Sequence, residues 1–472
     1  MIFVGVDIGT TRTKALLYDA ATGERRVVAR ATPVRTSAAG DLRDADAVLA
    51  TVVDAVGGAL SGLDAADRSR VRGLGVTSLS EEMVLLGADG RSLGPMPAWY
   101  NRGAGGPAAA QAGLDPSFSW AKLRWAHDEL AGGRSSLFPG VFPDDVAGIA
   151  TLNGYIAAQL AGSGRPVVDH SHASRTGFFD VREARWLPDV FAATGWAPGL
   201  LPELVPTGRS VGTLQPGLAE RWDVPATAEV VLAGHDHFCG AYGIGLRGGG
   251  GLYISAGTSE AHCLILDWLP DGELPDGVGV GRFVDGRRFY LHAQLPSGHL
   301  YRHWTGLLGL DALTPDEEAA ELARRPIGSD GTVLLPGSGT DLRSHLLDVA
   351  APADGPTILR ALYEGLACAA LQLDRDLTVF AGVQANTVLA AGVPCSSPVW
   401  REARAQLSDA PLAVSTETEA PALGAAVLAQ LATTGVAAPP EPAVAVEVDS
   451  ALQSAYTGVY QRYLRARHRV AS

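Results

Sequence analysis

Residues 2–6 form an apolar run rich in β-branched and aromatic side chains. Asp7-Ile8-Gly9-Thr10-Thr11 is turn-like, and residues 15–18 resume the apolar run before a second turn at 19–23. This pattern predicts a strand–turn–strand hairpin at the start of the chain. Strand-like runs at 71–77 and 83–86 flank a polar break at 78–82. Helical spacing dominates 44–62, where Ala45, Val48, Leu49, Val52, Val56 and Leu60 share one face, and also 147–161. Strands alternating with helices predict an α/β protein with partly parallel sheets.

The opening pattern returns about half a chain later. Phe3-Val4-Gly5-Val6-Asp7-Ile8-Gly9-Thr10-Thr11 is echoed by Gly251-Leu252-Tyr253-Ile254-Ser255-Ala256-Gly257-Thr258-Ser259, and each is followed by a second apolar run, at 15–17 and 263–266. A duplicated pair of α/β domains, each opening on the same hairpin, accounts for the repeat; chance is the alternative, because Gly-Thr after a strand is common. The division is expected in the glycine-rich stretch 243–251, giving domains at 1–245 and 246–472. A Pro/Ala-rich connector at 437–446 precedes an amphipathic C-terminal helix carrying Tyr456, Tyr460, Tyr463 and Leu464.

Composition narrows the class. A length of 472 residues predicts two to four compact units, and 47% hydrophobic with 19% charged residues marks a globular chain. The formal charge of −14 argues against a phosphate-backbone binder. Of 37 basic residues only Lys14 and Lys122 are lysines. Cys239, Cys263, Cys368 and Cys395 are scattered without Cys-x-x-Cys, so neither a disulfide framework nor a zinc cluster follows. With no cleavable leader pattern and no apolar stretch of membrane-spanning length, a soluble cytoplasmic protein is expected.

Three segments carry candidate chemistry. Asp7-x-Gly9-Thr10-Thr11-x-x-Lys14 combines a glycine that lets backbone N–H groups approach an anion, two hydroxyl donors and a cationic side chain. Asp7 suits a hydrated Mg²⁺ bridging phosphate oxygens. The spacing is not that of a P-loop, since Lys14 follows Thr13 rather than Gly. An ordinary polar hairpin is the alternative, and the repeat at Gly257-Thr258-Ser259 favours the phosphate reading. In Gly234-His235-Asp236-His237-Phe238-Cys239-Gly240-Ala241 a strand runs through Gly-x-Asp into a Gly/Ala-rich helix. That places a carboxylate at a sheet edge, where it can accept a hydroxyl proton during phosphoryl transfer. A metal site of His235, His237 and Cys239, or a helix cap at Asp236, are the rival readings. Glu81-Glu82 and Trp99-Tyr100-Asn101-Arg102 supply carboxylates, an indole, an amide and a guanidinium, a mixture suited to a polyhydroxylated ligand or to a solvated loop.

Taken in order, these motifs resemble the FGGY carbohydrate kinases, a family of xylulokinase-, gluconokinase- and glycerol kinase-like proteins within the actin-like ATPases. Further matches are Tyr363-Glu364-Gly365-Leu366-Ala367, Ser397-Pro398-Val399-Trp400 and Ala422-Leu423-Gly424-Ala425-Ala426, so the resemblance spans nearly the whole chain. It implies an α/β fold of two actin-like (ribonuclease H-like) domains with an interdomain cleft for sugar and Mg-ATP. It implies Asp236 as general base and Asp7 near Mg²⁺, through water. Gly9, Thr10, Thr11, Lys14, Gly257, Thr258 and Gly298 would lie around the phosphates, and Gly392 and Ser397 at adenosine. Glu81, Trp99, Asn101, Arg102, Asp236 and His237 would contact the sugar. The implied partners are a small sugar or polyol, with a homodimer allowed and no nucleic acid or membrane.

The sequence departs from that pattern in four places. The family's Gln-centred sugar motif is absent, with Glu81-Glu82 in its region, and the segment 335–347 lacks the usual Gly-Glu-Arg-type loop. The family's Trp-x-Asp-x-Arg reads Trp99, Asn101 and Gly103 here, with Arg102 one position early, and the consecutive glycines of the adenosine loop are replaced by Ala391-Gly392-Val393-Pro394-Cys395. Pro394 removes one backbone donor. The leading expectation is an ATP-dependent kinase of a sugar, ketose or polyol, with a ketopentose such as xylulose as first substrate candidate. A sugar- or nucleotide-sensing relative without catalysis is the alternative.

Overall fold

The computed structural model describes residues 1–101, 103–133, 135–337, 341–351, 353–440 and 442–471. The chain divides into two compact units. The first comprises Met1–Arg247, Gly281–Arg288 and Glu419–Pro440, and the second Gly248–Val280, Phe289–Thr418 and Glu441–Ser472.

The first unit is organised by a six-stranded sheet in the order Ser210–Thr213, Glu229–His235, Val71–Ser78, Ile2–Ile8, Arg12–Asp19 and Arg25–Ala31. Ile2–Ile8 runs antiparallel to Arg12–Asp19 and parallel to Val71–Ser78, which is in turn parallel to Glu229–His235. Side chains alternate across a strand. Ile2, Val4, Val6 and Ile8 therefore share one face, where they form a core with Val48, Val52 and Val56 of helix Ala45–Leu60 and with Tyr155 and Ile156 of helix Leu152–Ala161. Asp44 caps the first of these helices by accepting from the Ala47 N–H.

The opposite face carries glycines because a helix backbone lies almost on the sheet. A Cβ at Gly5 would stand 1.7 Å from the Ala422 carbonyl oxygen, and one at Gly75 would stand 2.0 Å from that of Ala425. Helix Ala420–Thr434 fills that space, so the last segment of the first unit packs on its first strand.

Two local expectations are corrected. Residues 148–151 are a strand, Gly148–Thr151, paired antiparallel with Met83–Leu86, and the helix starts only at Leu152. β-branched Ile149 and Thr151 suit that extended partner better than a first helical turn. The connector at 437–446 contains the strand Ala443–Ala445, which pairs with Leu412–Ser415.

The second unit repeats the opening arrangement. Gly251–Ala256 runs antiparallel to Glu260–Leu266 and parallel to Thr387–Ala391, inside a seven-stranded sheet. Helix Gly355–Ala381 buries Leu366, Ala370 and Leu377 along one face. Helix Ser450–Ala471 inserts Tyr456, Val459, Tyr460, Tyr463 and Ala466 at helical spacing into the core. All four cysteines are buried. Among the described residues no helix is long and apolar enough to cross a membrane.

Candidate functional site

The register of the first sheet gathers its candidate residues. Ile8 is level with Ser78, and Ser78 with His235, so three parallel strands end at one edge. Asp7, the loop after Ser78 and Asp236 converge there because parallel strands present their C-terminal ends together.

Asp236 is the first residue of helix Asp236–Gly243, with His235 in the cap position, so the reading of Asp236 as a helix cap is corrected. Its Oδ1 accepts from the His237 N–H at 2.7 Å. His235 Nδ1 stands 2.7 Å and His237 Nε2 3.8 Å from the same oxygen. Burial works against ionisation, but the two imidazoles outweigh it and hold the carboxyl down at about 2. Asp236 is thus an anion at neutral pH, with 19% of its side chain exposed.

A buried relay steadies the strand end beneath it. The His235 N–H donates to Ser171 Oγ at 3.0 Å, and Ser171 Oγ donates to Asp169 Oδ1 at 2.5 Å. Asp169 lies 2.8 Å from His172 Nδ1. Among the described residues no group of three His, Cys, Asp or Glu side chains could hold a metal ion, and Cys239 Sγ donates to the Pro421 carbonyl, so the His235–His237–Cys239 metal reading is corrected.

Asp7 behaves in the opposite way to Asp236. Burial, then the nearby Asp236 charge, raises its carboxyl to about 7, and its Oδ1 is buried without a hydrogen-bond partner. Lys14, directly across the hairpin from Asp7, is engaged by Glu419 at 2.5 Å. A buried, orphaned carboxylate oxygen beside a second carboxylate fits a hydrated divalent cation, whose other ligands would be water and phosphate.

The hairpin tip leaves Gly9 half-buried and Thr10 and Thr11 exposed. It is tied to the next loop by a buried pair, Arg43 and Glu82. Arg43 Nε donates to Glu82 Oε1 at 3.0 Å and Arg43 Nη2 to the Thr10 carbonyl at 2.9 Å. Trp99 completes the tie: its backbone N–H donates to Glu82 and its indole Nε1 to Thr10 Oγ1, each at 3.0 Å.

Glu81 has a left-handed backbone, φ +67°, unusual for a non-glycine residue. Its Oε1 accepts from Arg175 Nε at 2.7 Å, and the Arg175 guanidinium lies over the Phe118 ring. His237 is held below its ordinary value by burial, and the charges of Asp236, Glu81 and Arg175 all act on it, which groups these four side chains. Asn101 commits its amide nitrogen to the carbonyls of Ala39 and Asp41. Arg102 lies outside the described residues.

In the second unit Gly257 and Thr258 are exposed at the hairpin tip. Gly298 abuts them so closely that a Cβ there would meet the Gly257 carbonyl oxygen at 2.3 Å, and the His299 N–H donates to the Thr258 carbonyl at 2.9 Å. Gly392, at φ +121°, would place a Cβ 1.8 Å from the Ala256 carbonyl oxygen. The backbone at Gly257, Thr258, Gly298 and Gly392 is therefore drawn together. Ser397 caps helix Pro398–Leu407, accepting from the Trp400 N–H at 3.3 Å.

Sequence reasoning missed Arg43, Arg175, Asp169, His172 and Glu419. Their partners lie 39 to 405 positions away, except for the local Asp169–His172 pair.

Comparison with known proteins supplies independent findings. The family model described as the N-terminal domain of the FGGY family of carbohydrate kinases matches residues 107–243, and that of the C-terminal domain matches 312–433, together more than half of the chain. A glycerol kinase from Alkalilimnicola ehrlichii is 28% identical over 331 residues, covering 67% of this chain and 64% of that enzyme's length. A xylulose kinase from Streptomyces coelicolor is 28% identical over 456 residues, covering 92% of this chain and 88% of its own. The crystal structure of a xyloylose kinase from Brucella ovis superposes with a TM-score of 0.86 at 23% identity, covering 100% and 99% of the two chains.

Proposed function

This chain belongs to the FGGY family of carbohydrate kinases, and from that premise we propose that it moves the γ-phosphoryl group of ATP onto a hydroxyl of a small sugar, ketose or polyol, with Asp236 as general base. The similarity to a xylulose kinase over most of both chains makes a ketopentose such as xylulose the first substrate to try. The observation that carries the proposal is the ionised Asp236 carboxylate at the sheet edge, held at about 2 beside a carboxyl held at about 7. Two carboxyls driven apart by their surroundings divide the work: one stays an anion for the acceptor, and the other is suited to a cation.

In this reading the acceptor hydroxyl hydrogen-bonds to Asp236. Its oxygen attacks the γ-phosphorus, the bond from phosphorus to the bridging oxygen breaks, ADP leaves, and the hydroxyl proton passes to Asp236. A carboxylate titrating near 2 is a weak base. That suffices for phosphoryl transfer, because the transition state is loose and the hydroxyl sheds its proton late. Glu81, Trp99, Asn101, Arg102 and His237 are the proposed sugar contacts. Gly9, Thr10, Thr11 and Lys14 of the first unit, and Gly257, Thr258 and Gly298 of the second, are the proposed phosphate contacts, with Gly392 and Ser397 at adenosine. Asp7 would hold Mg²⁺ through water. When bound, that ion supplies charge neutralisation on the transferring phosphate.

The test is ADP release coupled to a spectrophotometric readout, run over a panel of pentoses, hexoses and polyols with Asp236→Asn as control. One substrate class should give sugar-dependent ADP release, and the Asn variant should lose about 10²–10⁴-fold in kcat, the usual worth of a general base. Full sugar-dependent turnover by Asp236→Asn would remove Asp236 from the role.

A further inference from the structure

The second unit buries an ionic cluster that the roles above leave unused. Glu260 is the residue that follows the 257–259 loop, at the position where the first hairpin carries the exposed Arg12. Its side chain is 1% exposed, and its Oε1 lies 2.9 Å from His262 Nε2 and 2.6 Å from Arg404 Nη2. His262 Nδ1 lies 2.6 Å from Asp374 Oδ1. Two carboxylates and two cations thus join strand Glu260–Leu266 to helices Gly355–Ala381 and Pro398–Leu407. Glu260 and His262 are both ionised at neutral pH. Burial opposes both charges, but Arg404 and His262 hold the Glu260 carboxyl down at about 2, and Asp374 with Glu260 raises His262 to about 9.

We propose that Glu260, through Arg404 and His262, is a positioning residue that fixes the 257–259 loop in its nucleotide-binding shape; the proposal rests on the kinase reading. The backbone geometry gives it leverage. Glu260 pairs with Ala256 across the hairpin and with Leu295 on the other side, and Leu295 leads within three residues to Ser297 and Gly298. The loop tip is exposed at Gly257 and Thr258 and rests on Gly298 and His299, so its shape depends on how its two ends and that neighbouring turn are anchored. Arg404 anchors one of them from the helix that Ser397 caps, just after Gly392 has approached the Ala256 carbonyl. At this position the repeats part: the first hairpin continues into solvent with Arg12, and the second continues into a buried ion cluster with Glu260.

Breaking a buried pair by removing one partner is costly because the other charge stays buried. Glu260→Gln keeps volume and an acceptor oxygen but leaves Arg404 and His262 facing a neutral amide. With the full-length chain, calorimetry of ADP binding should show Kd raised tenfold or more, and steady-state kinetics should show a matching rise in the KM for ATP. The KM for the sugar should stay within twofold, a split that general loss of stability would not produce. Combining Glu260→Gln with Arg404→Met should weaken ADP no further than Glu260→Gln alone, because the two act as one unit. If Glu260→Gln does not fold, Glu260→Asp keeps the charge but withdraws it by one methylene, and the same split is expected. Unchanged ADP affinity in a folded Glu260 variant, equal losses for ADP and sugar, or additive losses in the double variant would overturn the proposal. A wild-type chain that binds ADP but phosphorylates no sugar would refute the substrate reading and leave the ADP comparison in force, so the two failures separate.

Discussion

Asp7 provides a test in which stability and activity should move in opposite directions. Its carboxyl titrates at about 7 in the fold and near 3.8 in an unfolded chain, with burial as the main cause and the Asp236 charge next. An acid whose folded value is raised holds more protons in the folded state, so stability falls as pH rises from about 4 to 7 and is flat above that. At about 1.4 kcal/mol per pKa unit the burden at pH 8 is about 4 kcal/mol, and about 2 kcal/mol if half of it is shared with Asp236. Asp7→Asn removes the charge and keeps the shape. The variant should therefore be about 2–4 kcal/mol more stable than wild type at pH 8, and only about 1 kcal/mol more stable at pH 5. Differential scanning calorimetry in chelator would read the first value as a rise of roughly 5–10 °C in the transition of the first unit. Adding Mg²⁺ should raise the wild-type transition and leave the variant where it was, because only the carboxylate gains from the cation. Kinase turnover should collapse in the same variant. A gain that is equal at both pH values, or a loss at pH 8, would show that Asp7 is not a destabilised buried acid and would remove the argument for a cation there.

The other expectations concern the proposed nucleotide contacts. Gly392→Ala must accommodate a Cβ 1.8 Å from the Ala256 carbonyl at a backbone angle of +121°; a strain of about 1–3 kcal/mol from the angle alone, plus the clash, should weaken ADP binding in calorimetry while leaving sugar affinity within twofold. Lys14→Met should raise the KM for ATP in steady-state assays by removing the cation of the first hairpin. Lys14→Met/Glu419→Gln should do the same with less loss of stability in urea, because the double change also removes the Glu419 charge that Lys14 offsets.

What could be read from the sequence was what local physics determines. The hairpins were legible because β-branched runs and Gly-Thr turns specify them within a dozen residues, and each forms as a paired strand–loop–strand. Asp236 was legible because a strand, Gly-x-Asp and a Gly/Ala helix start place one carboxylate at a sheet edge without reference to the rest of the chain. The strand Gly148–Thr151 was misread as helix because four residues are too few to show a period, and only pairing with Met83–Leu86 decides them. Asp44 and Ser397 cap helices by the ordinary rule, so a hydroxyl such as that of Ser397 reads as a helix cap before it reads as a ligand contact.

The charge partners were illegible for a different reason. Arg175 for Glu81, Glu419 for Lys14 and Arg404 for Glu260 are long or distant side chains whose choice of partner is made by how helices and loops pack against the sheets. Yet the first two of these pairs fix candidate residues that the sequence did show, Glu81 and Lys14. The Arg175 pair holds Glu81 in its left-handed turn, and Arg43 with Glu82 secures the Thr10 carbonyl. At Glu81, Glu82 and Glu260 the counter-charge comes from arginine, whose planar fork can bond two acceptors at once and stays charged when desolvated. Arg43 does this directly, donating to Glu82, Pro33 and Thr10 from one buried guanidinium. Lys14 sits where a single mobile charge is useful, at 24% side-chain exposure and with one carboxylate partner, so a phosphate can compete for it. Around these residues arginine builds the frame and Lys14 keeps an exchangeable bond, whereas the other lysine, Lys122, is buried and donates to the Pro116 carbonyl.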